Sequence, residues 1–182
     1  MRIVSGTYKG RNLLGYDLKG TRPTMDRVKE SLFAMIQDKI KGSNCLDLFA
    51  GSGNLGLEAL SQGASTVTFV DHNKKAIDTI KQNIQHLSIK EPIQLYKLDF
   101  QQALKQLSAN TFDIIFLDPP YDTDAIEIAL RKIHDYQLLK DDGYIILESN
   151  KLEKVLPKQI YQVLKYKKYG DKYISIIKKA ND

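Results

Sequence analysis

The sequence predicts an α/β fold: a Rossmann-like, mostly parallel seven-stranded sheet with a C-terminal antiparallel hairpin, preceded by a small N-terminal β-hairpin and helix. Three observations carry this. From residue 44 onward, short apolar strand segments alternate with amphipathic helical ones, a pattern that requires right-handed crossovers and a parallel sheet covered on both faces. The last two strand segments, 160–166 and 172–178, are joined only by Tyr169-Gly170-Asp171, too short for a crossover helix, so they pair antiparallel at one end of the sheet. The segment before residue 42 has its own turn, extended pieces and helix. We therefore expect an N-terminal basic appendage at 1–41 and the α/β domain proper at 42–182.

Taken in order, residues 2–5 and 11–14 read as two short strands around the turn Gly6-Thr7-Tyr8-Lys9-Gly10. Arg22-Pro23-Thr24 ends the extended region. Thr24 is a candidate N-cap for a helix whose apolar stripe is Val28, Leu32, Phe33, Ile36 and Ile40. Strands follow at 45–49, 66–71, 93–98, 112–118 and 143–148. Between them lie helices at 55–62, from a cap at Asn73 to about Leu87, at 101–107, and at 123–135. Gly63 stops the first of these, and Pro119-Pro120 blocks continuation of the fourth strand.

Composition bounds the function. The 182 residues suffice for one domain with a core, and 42% hydrophobic with 27% charged residues is ordinary for a soluble protein. The apolar runs are far too short for a membrane span, and the N-terminus lacks a signal-peptide core. The single cysteine, Cys45, can form neither an internal disulfide nor a metal cluster, and His72, His86 and His134 lack ligand spacing. A cytoplasmic, metal-free protein is expected. Charge is uneven: residues 1–41 carry a net +5, residues 42–150 a net −6 and residues 151–182 a net +6. Two basic ends around an acidic middle suggest a polyanion held by the ends and chemistry in the middle.

In a parallel sheet, ligands gather at the carboxyl ends of the strands. The loops beginning at Ala50, Asp71, Asp99 and Asp118 fall there. Gly51-Ser52-Gly53-Asn54-Leu55-Gly56 fits G-x-G-x-x-G, with Asp71 about twenty residues on, so the letters alone allow a dinucleotide site. Asp47, four residues before Gly51, is awkward beside a pyrophosphate and suits a ligand bearing an ammonium group. S-adenosylmethionine has an ammonium, a sulfonium and a ribose, and no phosphate. The segment Asp47, Leu48, Phe49, Ala50, Gly51, Ser52, Gly53 and Asn54 thus favours the methyl donor, with Asp71 for the ribose hydroxyls and His72 beside it. Asp99 would accept from the adenine amino group, or else cap the next helix, and Phe100 would form an aromatic wall.

Asp118-Pro119-Pro120-Tyr121 is the most specific signal. Exocyclic amino groups of bases are poor nucleophiles, their lone pair being delocalised into the ring. The Asp118 carboxylate and the Pro119 carbonyl can accept the two N–H protons and stabilise the positive charge that grows on nitrogen. Pro120 stiffens the loop without adding a donor, and Tyr121 offers a stacking face. In the appendage, Arg2, Lys9, Arg11, Lys19, Arg22 and Arg27 interleave with Tyr8 and Tyr16, a pattern suited to phosphates and splayed bases. Arg22 and Thr24 would reach a phosphate of the target nucleotide.

The donor loop with Asp118-Pro119-Pro120-Tyr121 resembles class I S-adenosylmethionine-dependent amino methyltransferases. Met1 to Gly6, Gly10-Arg11, Arg22-Pro23-Thr24, the stretch Arg27 to Phe33 and Tyr169-Gly170-Asp171 resemble the bacterial family that methylates guanine N2 in 16S ribosomal RNA. That resemblance implies a monomer whose N-terminal hairpin touches RNA already carrying ribosomal protein, as in a small-subunit assembly particle. Other readings stay open: a DNA adenine-N6 enzyme, a protein glutamine-N5 enzyme, a nicotinamide-dependent oxidoreductase, or an RNA-binding module without catalysis.

Overall fold

The computed structural model describes residues 1–15, 23–119, 123–149, 156–170 and 172–181. Its elements are α1 (Pro23–Met35), α2 (Gln37–Ile40), β1 (Asn44–Asp47), α3 (Asn54–Ser61), β2 (Thr66–Asp71), α4 (Lys74–Leu87), β3 (Ile93–Lys97), α5 (Phe100–Gln106), β4 (Phe112–Leu117), α6 (Thr123–Asp135), β5 (Leu139–Ser149), β6 (Tyr161–Tyr169) and β7 (Lys172–Lys179). The seven strands form one sheet in the order β3-β2-β1-β4-β5-β7-β6. β1 to β5 run parallel, and β7 and β6 each run antiparallel to their neighbours. The order reverses at β1, so the crevice between the ends of β1 and β4 is where this topology places a ligand.

Strand residues alternate between two cores, as a sheet buried on both faces requires. On one face Cys45, Val67, Phe69, Ile114, Phe116, Ile146, Ile174 and Ile176 pack against α1, α3 and α4 through Leu32, Phe33, Leu57, Leu60, Ile77 and Ile80. Phe33 and Phe116 stack with centroids 5.8 Å apart. On the other face Leu46, Val70, Ile115, Leu117, Ile145 and Leu147 meet α5 and α6 through Ala103, Leu104, Ile126, Leu130 and Ile133. Burial pushes the Cys45 thiol up to about 12, so it is an inert core residue. Among the described residues no helix is long and apolar enough to cross a membrane.

Three expectations are corrected. Residues 2–5 and 11–14 do not make regular strands. Their hairpin is a single antiparallel bridge, Arg2 with Asn12, because the next N–H groups, those of Val4, Ser5 and Leu14, donate to the Glu58 and Asn83 side chains instead of across the pair. Thr24 is not an N-cap, because α1 already begins at Pro23, whose fixed φ and missing N–H suit the first helical turn. The helix also does not run unbroken to Ile40. It ends at Met35 and restarts at Gln37, with Ile36 non-helical between them and buried in the core.

Candidate active site

The glycine loop leaves the end of β1 and enters α3. The Ala50 N–H donates to the Val70 carbonyl at 3.0 Å, and the Gly53 N–H to the Ala50 carbonyl at 2.8 Å. Gly51 and Gly53 take φ of +56° and +85°, left-handed values that a side chain would strain. Gly56 serves packing. A Cβ there would lie 2.3 Å from a ring carbon of Phe69, so only glycine lets α3 sit this close to β2. Ser52 and Gly53 are buried, while Gly51 and Asn54 are half-buried at the rim.

Two carboxylates hold the loop from below. Asp71, closing β2, accepts from the Gly51 N–H at 2.9 Å through Oδ2 and from the Asn73 N–H at 2.8 Å through Oδ1. Asp47, closing β1, accepts from the Gly56 N–H at 3.0 Å and is only 2% exposed. Desolvation pushes the Asp47 carboxyl up to about 7. The Gly56 N–H opposes that shift, and the charges of Asp118 and Asp71 add to it.

Asp118 follows β4, and the register that pairs Leu117 with Leu147 sets it beside Glu148 at the end of β5. Its carboxyl is also pushed up to about 7, first by desolvation and then by Glu148, with Lys172 opposing. Protein surrounds Asp118 from behind, yet its side chain opens to solvent at the rim. Water on that side limits the shift. Pro119 is half-buried next to it; Pro120 and Tyr121 lie outside the described residues.

The rest of the expected donor site falls at the same edge. The Phe49 and Phe100 rings meet at 5.1 Å, joining the ends of β1 and α5 in one aromatic wall. Asp99 is the N-cap of α5, its Oδ1 accepting from the Gln101 N–H at 2.9 Å. His72 is largely exposed beside Asp71.

The basic segment is arranged differently from its sequence order. Arg2 pairs with Asp26 at 2.8 Å. The Arg11 guanidinium donates to the carbonyls of His86 and Leu87, closing the end of α4. Lys9 and Arg27 are exposed. Arg22 lies outside the described residues, as do Tyr16 and Lys19, and the side chain of Thr24 is likewise not described.

Three buried polar residues that the sequence reading missed fasten this segment to the loop. The Lys29 ammonium bridges Glu58 at 3.0 Å, Asn54 Oδ1 at 2.8 Å and the Arg2 carbonyl at 2.5 Å. Glu58, fully buried, also accepts from the N–H groups of Val4 and Ser5. Asn83 exchanges hydrogen bonds with Leu14 and donates to the Ser52 carbonyl at 3.0 Å. A signal existed in two cases: Lys29 and Asn83 sit at helical spacing on apolar stripes, 29-32-33-36 and 76-80-83-87, where a polar residue needs a partner.

A cofactor fit can be judged from these groups. The loop carries no cation to meet a phosphate, since Lys29, the ammonium beside it, is buried against Glu58. Three carboxylates, Asp47, Asp71 and Asp118, converge instead and repel one another. This donor set suits a cationic nucleoside and not a dinucleotide.

Strand order, glycine loop and Asp118 segment together define a class I methyltransferase, the Rossmann-like class that uses S-adenosylmethionine. A model of the family described as "Conserved hypothetical protein 95" matches residues 1–178, and the chain belongs to that family. It is 42% identical over 183 residues to YlbH of Bacillus subtilis, covering 98% of this chain and 99% of that one. It is 39% identical over 175 residues to the ribosomal RNA small subunit methyltransferase D of Haemophilus influenzae, covering 93% and 89%. The solved structure of Escherichia coli yhhF superposes with a TM-score of 0.87 at 29% identity, covering 98% and 97%.

Proposed function

We propose that this chain transfers a methyl group from S-adenosylmethionine to the exocyclic N2 amino group of a guanine in 16S ribosomal RNA. The observation that carries the reading is the acidic convergence at the switch point. Asp47 and Asp71 hold a glycine loop free of phosphate-binding cations, and Asp118 stands beside it on a proline-stiffened strand end. The relatives named as ribosomal RNA methyltransferases support the choice of RNA.

S-adenosylmethionine would supply an electrophilic methyl carbon on a sulfonium. Asp71 would accept from the ribose hydroxyls, Phe49 and Phe100 would flank the adenine, and Asp47 would offset positive charge from beneath the loop. His72 and Asp99 would line the nucleoside end, Asp99 through the oxygen that does not cap α5. Asp118 orients the amino group by accepting one N–H, and the Pro119 carbonyl accepts the other. Both then face the positive charge that develops on nitrogen as the N–C bond forms; the C–S bond would break to leave a neutral thioether, and the surplus N–H proton would pass by way of Asp118 to the solvent at the rim. Residues 1–41 would act as the RNA-contacting appendage on the methyltransferase domain at 42–182, through Arg2, Lys9, Arg11, Arg22, Thr24 and Arg27. The enzyme would work as a cytoplasmic monomer on a small-subunit assembly particle, without a metal.

Asp118→Ala tests the central assignment. Methyl transfer to small ribosomal subunits should fall by at least about a hundredfold, while donor affinity by calorimetry stays within about twofold. Full turnover in this variant would remove Asp118 from the mechanism.

A further inference from the structure

The C-terminal hairpin carries a feature that neither the donor site nor the N-terminal appendage uses. β6 is the outermost strand, and along most of its length its side chains are exposed. Edge lysines alone are an ordinary way to stop a strand pairing with another sheet. They do not account for the aromatic rings beside them. Tyr166 is 66% exposed, the most exposed large hydrophobic residue among those described. Its ring lies 6.2 Å from that of Tyr173 on β7, and the Lys168 ammonium sits 5.6 Å from the Tyr173 centroid. Lys165 and Lys167 alternate to the opposite face. There they reach α1 at the Met35 carbonyl and Ser31 Oγ, so the two faces of β6 do different work.

Register fixes where this platform stands. Tyr173 pairs with Ser149 and with Lys168, so the hairpin tip lies at the carboxyl edge of the parallel strands, on the rim that holds Asp118. β7 is two strands from β4, about 10 Å at the usual strand spacing, and β6 about 14 Å. Both distances are short against the stretch of roughly 4–16 nucleotides that a single-strand-binding fold engages.

We propose that Tyr166, Tyr173 and Lys168 form a docking platform for an unpaired nucleotide flanking the target base, the tyrosine rings stacking on the base and Lys168 meeting its phosphate. This rests on the RNA reading above and names a second RNA contact, remote in sequence from the basic N-terminus. Stacking on tyrosine needs no base identity, so the platform would hold the strand in register and leave choice of the guanine to other contacts.

Binding of a fluorescent oligouridylate to the full chain, followed across a salt series, tests it, with methyl transfer to small ribosomal subunits in parallel. Tyr166→Ala should weaken binding about tenfold and raise KM for the subunits with donor affinity unchanged, and Tyr166→Phe should restore both. Lys168→Ala should lower the slope of log affinity against log salt by about 0.7. Wild-type methylation of RNA with unaltered affinity and slope in both alanine variants would overturn the platform and leave the enzyme reading intact. A wild-type protein that labels DNA or protein instead would overturn both.

Discussion

Lys29→Met probes the joint between the basic segment and the donor loop. The Lys29 and Glu58 side chains are 3% and 0% exposed, and their charged atoms are 3.0 Å apart. Burial lowers the Lys29 pKa, and the Glu58 charge opposes that. Methionine keeps the length and removes the charge, leaving Glu58 with its N–H donors from Val4 and Ser5 but no counter-ion. Breaking a buried pair from one side costs about 3–5 kcal/mol. For a chain of this size each kcal/mol moves Tm by about 2–4 °C, so the drop should be roughly 6–20 °C. Thermal melts and urea titrations measure it. Glu58→Gln in the Lys29→Met background should recover part of the loss, because the stranded charge is then gone, and a double-mutant cycle should show coupling of about 2 kcal/mol. Donor affinity should fall as well, since Lys29 also holds Asn54 in the loop. A Tm within 2 °C of wild type, or additive single and double variants, would refute this account of the joint.

Further expectations follow from the same geometry. The Asp47 carboxyl at about 7 lies above its ordinary 3.8, so the folded chain keeps a proton that the unfolded chain releases. This contribution to stability is full below about pH 4 and is lost as pH rises through 7, on the order of 4 kcal/mol in all. Asp47→Asn should flatten that loss in urea titrations at pH 5 and pH 8 while weakening donor binding, and an unchanged pH profile would contradict the burial argument. Asp71→Ala removes the anchors of Gly51 and Asn73 together with the ribose acceptor. Calorimetry should show donor binding weaker by about tenfold or more, and equal affinity would exclude Asp71 from the donor site. Gly56→Ala drives a methyl into Phe69 and should cost about 1–3 kcal/mol by denaturant titration, largely recovered by Phe69→Leu; a neutral Gly56→Ala would mean that α3 can move off β2 freely.

Legibility tracked how local each signal was. β2 and the helices capped by Asn73 or running from Thr123 carry their boundaries in adjacent residues: a cap, a strand alternation, a proline pair. They fall at Thr66–Asp71, Lys74–Leu87 and Thr123–Asp135 as read. β5 begins at Leu139, earlier than expected, because Lys140, Asp141 and Asp142 are polar yet continue the strand, with Lys140 paired to Asp113. The break at Ile36 was hidden because its apolar stripe continues across it. In the site, the loop and acids were legible from spacing, whereas the fastening by Lys29, Glu58 and Asn83 joins residues 25 to 69 apart, a relation that no local pattern encodes. Composition marks Arg11 as an RNA contact, whereas the hold of its guanidinium on the carbonyls of His86 and Leu87 at the end of α4 spans 75 and 76 residues and has no local signal.

The most direct measurement of the central claim is tritium transfer from labelled S-adenosylmethionine to small ribosomal subunits from cells lacking this enzyme, with DNA and total protein as parallel acceptors. Label recovered as N2-methylguanosine in 16S ribosomal RNA is the predicted result. Label in DNA adenine or in protein would keep the Asp118 chemistry and contradict the RNA assignment, and no transfer to any acceptor would contradict the enzymatic reading itself.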